Sequence, residues 1–146
     1  MASEEEGAEI AYGAEECYRR IVKLMQDLGF PRGLLPLKEI EEFGYVCRTG
    51  FAWMKQKTPY QHYFTETKTL VRYGIEVTAY MEKGRMKNIS GVKSKQLFLW
   101  VPAVEMSIIN GNKIDFKSPV GIGKSYPLTA FMTDEEKQMY MEKTNE

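Results

Sequence analysis

A strict alternation of apolar and polar side chains at residues 75–82 constrains the fold more than any other feature of the chain. Ile75, Val77, Ala79 and Met81 occupy one set of alternate positions, and polar or amphipathic side chains occupy the other. Successive side chains of a β-strand point to opposite faces, so this pattern predicts a strand with one buried and one solvated face. Strands of that kind are typical of antiparallel sheets.

Two further regions have the pattern of β-hairpins, in which alternating segments flank residues that favour tight turns. The first covers residues 43–54, with Thr49 and Gly50 at its turn. The second covers residues 104–117, with the Asn-Gly pair at 110–111, which is the strongest hairpin signal in the chain. Both hairpins add antiparallel pairs to the predicted sheet.

An amphipathic helix is predicted at residues 14–28. Apolar side chains recur there at intervals of three and four, and charged side chains fill the other positions. Gly29 and Pro31 follow as stop signals. The apolar positions are Cys17, Ile21, Leu24, Met25 and Leu28.

Residues 97–101 read Leu-Phe-Leu-Trp-Val, which predicts a strand that needs cover on both faces. We expect the helix at 14–28 to pack over this run and form one of the two layers. Residues 55–69 have no clean period and predict a long loop or a poorly defined strand. A last strand is expected at residues 125–131.

The predicted fold class is mostly β (α+β): an antiparallel β barrel or curled sheet with a packed N-terminal helix and a short C-terminal helix. The C-terminal helix follows from Thr133 and Glu136, which have the spacing of a capping box. We divide the chain into an acidic disordered tail at 1–9, a single barrel-like domain at 10–132 and a short helix or tail at 133–146.

Composition excludes several classes of function. The 20 basic and 20 acidic side chains balance, so binding to nucleic acid or to an anionic membrane would have to come from a local patch. Two cysteines and one histidine are too few ligands for a zinc or iron–sulfur site, and we predict neither metal nor cofactor. Nothing indicates a signal peptide or a transmembrane segment, so we predict a cytoplasmic protein with reduced thiols.

No motif in the chain predicts an enzyme, and we assign no catalytic residue. A hydrolase would have to use His62, which has no acidic neighbour closer in sequence than Glu66. Cys17 and Cys47 lie on apolar faces of their predicted elements and are expected to be buried and inert. Residues 121–125 end like a phosphate-binding loop but lack its first glycine, and they predict a plain turn.

The densest charge asymmetry is a stretch of thirteen residues, 83–95, that contains basic residues and no acid. If its two halves pair as strands, they form a patch that can hold a phosphate or carboxylate group. The alternative is a solvated face whose lysines discourage edge-to-edge pairing. The basic residues are Lys83, Arg85, Lys87, Lys93 and Lys95.

Several short motifs resemble the plant family called domain of unknown function 538. The resemblance implies a small, mostly β, barrel-like domain with an N-terminal helix, and a plant source. The family has no settled biochemical function; proposals include lipid-like or pigment-type ligands and stress-related roles, and many members are secreted. The motifs are Phe30-Pro31-x-Gly33-Leu34-Leu35-Pro36, Val71-x-Tyr73, Gly91-Val92-Lys93-x-Lys95-x-Leu97-x-Leu99-Trp100, Ile114-x-Phe116 and a closing Phe131.

The functional hypothesis is a non-enzymatic binding module for an amphipathic or lipid-like anionic small molecule, with the tail inside the barrel. A protein–protein interaction module that uses the basic strip, and a weak esterase-type hydrolase, remain alternatives. The oligomeric state is left open. The predicted ligand-binding residues are Lys93, Lys95, Arg85 and Lys87 around the head group, and Tyr73 and Trp100 near the entrance.

Overall fold

The computed structural model describes residues 4–121 and 123–144. Within these residues, ten strands form one antiparallel sheet, accompanied by two α-helices and by 3₁₀ turns at Arg32–Leu34 and Leu128–Phe131. The elements are β1 (Glu9–Tyr12), α1 (Ala14–Leu28), β2 (Ile40–Tyr45), β3 (Phe51–Gln56), β4 (Tyr60–Phe64), β5 (Thr69–Glu82), β6 (Arg85–Gln96), β7 (Leu99–Pro102), β8 (Glu105–Ile109), β9 (Lys113–Lys117), β10 (Gly123–Pro127) and α2 (Asp134–Thr144).

The predicted fold class is confirmed, with the sheet in an open form. The strand order is β1-β2-β3-β5-β6-β8-β9-β10, and the sheet is not closed into a barrel by the described strands. The predicted tail at 1–9 lies partly outside the described residues; residues 4–7 form a turn and Glu9 begins β1. The last two residues of the predicted C-terminal segment also lie outside them.

Helix α1 has the predicted bounds, but it packs against a different part of the chain. Its buried side chains are Cys17, Ile21 and Met25, and Gly29 ends it with a φ of 85°. The helix contacts β1, β2 and the first 3₁₀ turn. The expectation that it covers residues 97–101 is therefore wrong.

Residues 97–101 are not a buried strand. Leu97 and Phe98 form the turn between β6 and β7, and Leu97, Phe98 and Leu99 are 91%, 94% and 70% exposed. The strand buried on both faces is instead β3, which has the main core on one side and a small cluster containing Phe51 and Trp53 on the other. An apolar run in the sequence indicates that its side chains favour burial, but contacts with distant strands and helices decide which run is buried.

The long hairpin of β5 and β6 forms the centre of the sheet and pairs with different strands along its length. The last part of β5 pairs with β3 and its first part with β4; β6 pairs first with β8 and then with β7. The register shifts between Tyr73 and Thr78. At Gly91, φ is 87° and a β-carbon would collide with the Glu76 carbonyl, so the irregularity requires glycine there.

Two local expectations are corrected, and one open alternative is decided. Ile75 lies beside the register shift and is 55% exposed, whereas Val77, Ala79 and Met81 are buried as predicted. Residues 55–69, for which a long loop and a strand were both open, contain strand β4, which is paired with β5 alone and is mostly exposed. The expected last strand is shorter than predicted, because the chain turns into a 3₁₀ helix at residues 128–131.

The remaining local predictions are confirmed. The β2–β3 and β8–β9 hairpins form at the expected turns. The capping box also forms: Thr133 N–H donates to Glu136 Oε1 and Glu136 N–H donates to Thr133 Oγ1, both at 3.1 Å. Glu136 additionally accepts a hydrogen bond from the backbone N–H of Arg32 at 3.0 Å, which ties α2 to the first 3₁₀ turn.

Candidate functional site: an apolar cleft

A cleft of about 380 Å³ lies between two parts of the sheet. One wall comes from β4, the first part of β5, the second part of β6, and β7; the other comes from β8, β9 and β10. Because β5 and β6 change partners along their length, β4 and β7 extend away from the helix-covered part of the sheet. The cleft is the space between this extension and the final strands.

The walls of the cleft are mostly apolar and aromatic. Phe131, from the second 3₁₀ turn, has its ring centroid 5.2 Å from that of Phe64 and 5.4 Å from that of Phe116. Tyr126 lies against Phe116 at 5.8 Å. The aliphatic part of the lining comprises Leu34, Val71, Val92, Val101, Pro102, Ala103, Met106 and Val120. Such walls favour an apolar occupant over a strongly polar one.

The rim of the cleft carries a connected set of polar side chains. Lys124 Nζ donates a hydrogen bond to Gln96 Oε1, and Gln96 Nε2 donates to Ser94 Oγ at 3.1 Å. Lys124 takes part in none of the ion pairs found among the described residues. Lys117, which also lines the cleft, lies 3.5 Å from Glu105. The rim therefore has one cation that no carboxylate in the described structure neutralises.

Tyr73 is the one predicted site residue that lines the cleft. It is 2% exposed, and its hydroxyl donates a hydrogen bond to the Leu34 carbonyl at 2.8 Å. Burial raises the pKa of this hydroxyl well above its ordinary value. The ring of Tyr73 is thus part of the apolar wall, while its polar end is already used by the backbone.

Lys93, Lys95 and Trp100 lie on the opposite face of the sheet from the cleft. Ser94 and Gln96 line the cleft, so strand alternation directs the side chains of Lys93 and Lys95 outward. Trp100 pairs with Lys95 across β6 and β7, and Lys95 Nζ is 6.0 Å from its ring centroid. Tyr73 and these three residues are therefore not brought together.

The two halves of the basic stretch do not pair with each other, because residues 85–95 lie on the single strand β6 and Lys83 lies in the turn before it. Arg85 instead forms an ion pair with Glu105 at 2.8 Å, and Lys87 lies 3.6 Å from Glu82. Both lie outside the cleft lining. A ligand-binding role for these two residues stays a prediction, and their charges are already matched by acids.

None of the titratable side chains considered for catalysis lines the cleft, although His62 contacts Phe64, which does. His62 lies 4.5 Å from the Phe64 ring and 6.3 Å from that of Tyr60, and partial burial lowers its pKa. Cys17 is buried as expected, and burial raises the pKa of its thiol. Cys47 is exposed, so the prediction that both thiols are buried is wrong for this one. It follows the end of β2, where alternation no longer determines burial.

Sequence patterns missed most of the cleft residues. The pattern at residues 121–125 predicts only a plain turn for Lys124, and no functional role is predicted for Gln96. A usable signal did exist: Ser94 and Gln96 alternate with Lys93 and Lys95, which marks two chemically different faces of one strand. The residues that oppose this face, Met106, Phe116 and Tyr126, lie ten, twenty and thirty positions after Gln96 on three further strands, so the cleft itself had no local signal.

Within residues 4–121 and 123–144, no cluster of three or more His, Cys, Asp or Glu side chains could hold a metal ion. None of the described helices is both long and apolar enough to cross a membrane.

No curated protein and no solved structure matches the chain significantly. The family model described as protein of unknown function, DUF538, matches residues 21–132, which include α1 from Ile21 and every strand after it. The chain therefore belongs to the DUF538 family.

Proposed function

We propose that this protein is a non-enzymatic binding protein for an amphipathic anionic small molecule, whose apolar part occupies the cleft. The observation that carries the proposal is the pairing of an apolar cleft with an unneutralised lysine at its rim. An occupant with one apolar and one anionic end would match both features. This combination of apolar walls and few polar groups is typical of small-molecule sites.

The size and walls of the cleft support an apolar ligand. Protein interiors are close-packed, and voids larger than a water molecule are few. A space of about 380 Å³ is within the range of ligand pockets. Aromatic rings from three separate elements, at Phe64, Phe116 and Phe131, meet along it and offer an apolar surface for a ligand to pack against.

Lys124 is the residue that we propose for the anionic end of the ligand. Its ammonium group donates to Gln96, a neutral acceptor that a carboxylate or phosphate would replace with a stronger, charge-assisted partner. Gln96 and Ser94 would then supply further hydrogen bonds. In this proposal Lys124 takes the role that sequence patterns assigned to Lys93 and Lys95, which point away from the cleft.

Binding fits the cleft better than hydrolysis does. The described residues that line it include no Asp, Glu, His or Cys side chain, which are the usual general acids, bases and thiol nucleophiles. The interaction-module alternative is weakened at one end of the basic strip, where Arg85 and Lys87 are paired with acids. A plant source, a stress-related role and a cytoplasmic location stay predictions.

A fluorescence titration with cis-parinaric acid, a fluorescent fatty acid, tests the proposal. We expect wild-type protein to bind the probe, and V71F to bind it at least about tenfold more weakly because the new ring fills the cleft. R72F is the matched control: it places the same ring on the opposite face of the same strand and should bind as wild type does.

A second comparison tests the head group. K124Q should weaken binding of cis-parinaric acid but leave binding of its methyl ester unchanged, because only the acid presents a charge to the lysine. If wild-type protein does not bind the probe, or if V71F binds it as tightly as R72F, the cleft is not the site. If K124Q weakens acid and ester equally, the proposed role of Lys124 is wrong.

A further inference from the structure

The turn between β6 and β7 carries the two most exposed large apolar side chains of the described residues. Leu97 is 91% exposed and Phe98 94% exposed, and Leu99 beside them is 70% exposed. We call Leu97, Phe98 and Leu99 the apolar tip. Single exposed apolar residues are common on protein surfaces, but three in succession at the end of a hairpin require an explanation.

The backbone of the apolar tip is also unusual. Leu97 has a φ of 57°, in the left-handed region that favours glycine and asparagine. The β8–β9 turn offers an internal comparison, since its residues at positive φ are Asn110 and Gly111. The β6–β7 turn thus holds a leucine where the backbone favours a small polar residue. Folding alone does not account for that choice.

The surroundings of the tip are positively charged. Lys93 and Lys95 precede it on β6, and Lys124 donates a hydrogen bond to Gln96, the residue before Leu97. The sequence contains no acidic residue at 83–104 or at 116–133, so the strand that leads into the tip and the loop beside it carry basic charge alone. Trp100 lies one residue beyond the tip and is half-buried beside Lys95.

From these observations we infer that the apolar tip inserts into the surface of an anionic lipid bilayer, with Lys93, Lys95 and Lys124 contacting the lipid head groups. Apolar side chains flanked by lysines, with a tryptophan at the boundary, match the polarity profile of a membrane interface. Phosphate groups supply the negative charge that the lysines lack in the protein. The balanced charge of the whole chain does not oppose this, because the positive charge is local.

The tip also stands at the rim of the proposed ligand site. Gln96 lines the cleft and is bonded to Leu97, and Val120, which lines the same rim, is 78% exposed. A tip inserted in a bilayer would therefore hold the cleft rim close to the membrane surface. Membrane docking goes beyond the proposed function, since vesicle binding can be measured whether or not the cleft takes a ligand.

Co-sedimentation of the full-length protein with phosphatidylcholine vesicles, with and without phosphatidylserine, tests the inference. We expect binding to the vesicles that contain phosphatidylserine, and at least about tenfold weaker binding by a variant carrying L97N and F98S. I75S removes an exposed apolar side chain elsewhere on the sheet and should bind as wild type does. K93Q and K95Q should each weaken binding about fivefold and reduce the dependence on salt.

Tryptophan fluorescence supplies an independent measurement on the same samples. The chain contains two tryptophans, and Trp53 is 2% exposed in the core, so a blue shift on adding vesicles reports on Trp100. W100F should abolish that shift. L97N with F98S should fold normally, since both residues are almost fully exposed, and circular dichroism checks this.

The inference is overturned if wild-type protein does not bind vesicles containing phosphatidylserine, or if L97N with F98S binds them as wild type does. Binding that depends on the lysines but not on the tip would also overturn it, because that pattern describes a surface charge effect alone. V71F separates the two proposals. It should bind vesicles normally while losing cis-parinaric acid, and the tip variant should do the reverse.

Discussion

The two ends of the apolar interior are filled to very different degrees. Beneath α1 the remaining void is about 40 Å³, whereas the cleft at the other end measures about 380 Å³. Leu34, Val92 and Met106 line both spaces, so a single layer of side chains separates them. One end has the packing of a protein core and the other has the room of a binding site.

The cause of this difference is the element that closes each end. At the first end, α1 places Ile21 and Met25 against the sheet and fills the space between helix and strands. At the second end, strands and 3₁₀ turns face each other across the gap, and each strand contributes only every second side chain. A continuous sheet thus provides stability at one end and leaves a space for a ligand at the other.

Truncating a core side chain should have the largest effect and test the comparison directly. Met25 is 1% exposed, so M25A should lower the free energy of unfolding by about 2–5 kcal/mol. V101A, in the half-buried cleft wall, should cost less than about 1.5 kcal/mol, the scale of a small truncation. Urea melts of both variants measure this. Equal losses would show that the two ends are packed alike.

Enlarging a side chain should destabilise the protein at the filled end and have little effect on stability at the cleft. Ala52 is 5% exposed in β3, and A52F should cost about 1–3 kcal/mol because the core beneath α1 has no room for a ring. V71F places the same ring in the cleft and should change stability by no more than about 0.5 kcal/mol. A large loss for V71F in thermal or urea melts would mean that the cleft is not open in solution.

Replacing the strained leucine at the cleft rim should raise stability. L97N places asparagine at a φ of 57°, which should stabilise the fold by up to about 1 kcal/mol, because leucine is disfavoured in that region. The reciprocal change N110L, at a φ of 54°, should lower stability by a similar amount. Denaturant midpoints measure both. If L97N is destabilising, the exposed leucine makes a contribution to the fold.

The smallest expected effect is on the loss of stability at low pH, and it should come from Glu42 on β2, one of the strands at the filled end. The hydrogen bond from Trp53 Nε1, at 2.8 Å, lowers the pKa of Glu42; partial burial opposes this effect, and Lys55 adds to the lowering. A carboxyl with a lowered pKa stabilises the fold above its ordinary value of 4.5, and this contribution is lost as pH falls through the folded-state pKa.

The corresponding variant is E42Q. It should flatten the decline of stability below pH 4.5 by less than about 1 kcal/mol, because Glu42 is partly exposed. Q96A, at the cleft rim, removes no titratable group and should leave that decline unchanged. Urea melts across this pH range provide the measurement. An E42Q profile that parallels the wild-type profile would show that the Trp53 hydrogen bond does not form in solution.

Much of the local structure could be predicted because its causes are local. The apolar spacing and stop signals of residues 14–28 determine α1, and the turn residues of the β2–β3 and β8–β9 hairpins determine their pairing. The capping box at Thr133 forms from residues three apart. In each case the interacting groups are neighbours in sequence, so the pattern is visible before the fold is known.

The predictions of burial from the sequence were wrong where burial depends on partners that are distant in the chain. Residues 97–101 and 51–54 are both apolar runs, yet the first begins with the exposed apolar tip and continues into the half-buried β7, whereas the second is the doubly covered strand. Nothing local distinguishes them, because the difference lies in which strands and helix pack against each. The register shift between Tyr73 and Thr78 likewise exposed Ile75, although the alternation there is regular.

By itself, the sequence determined an antiparallel, mostly β fold with an N-terminal helix, because the periods of two and 3.6 residues follow from backbone geometry. The tertiary structure alone decided that Lys124 and Gln96 meet at the rim and that Lys93 and Lys95 face away from it. The cleft exists because strands far apart in sequence face each other across a gap. That arrangement depends on how the whole sheet bends and pairs, and no segment of the chain encodes it locally.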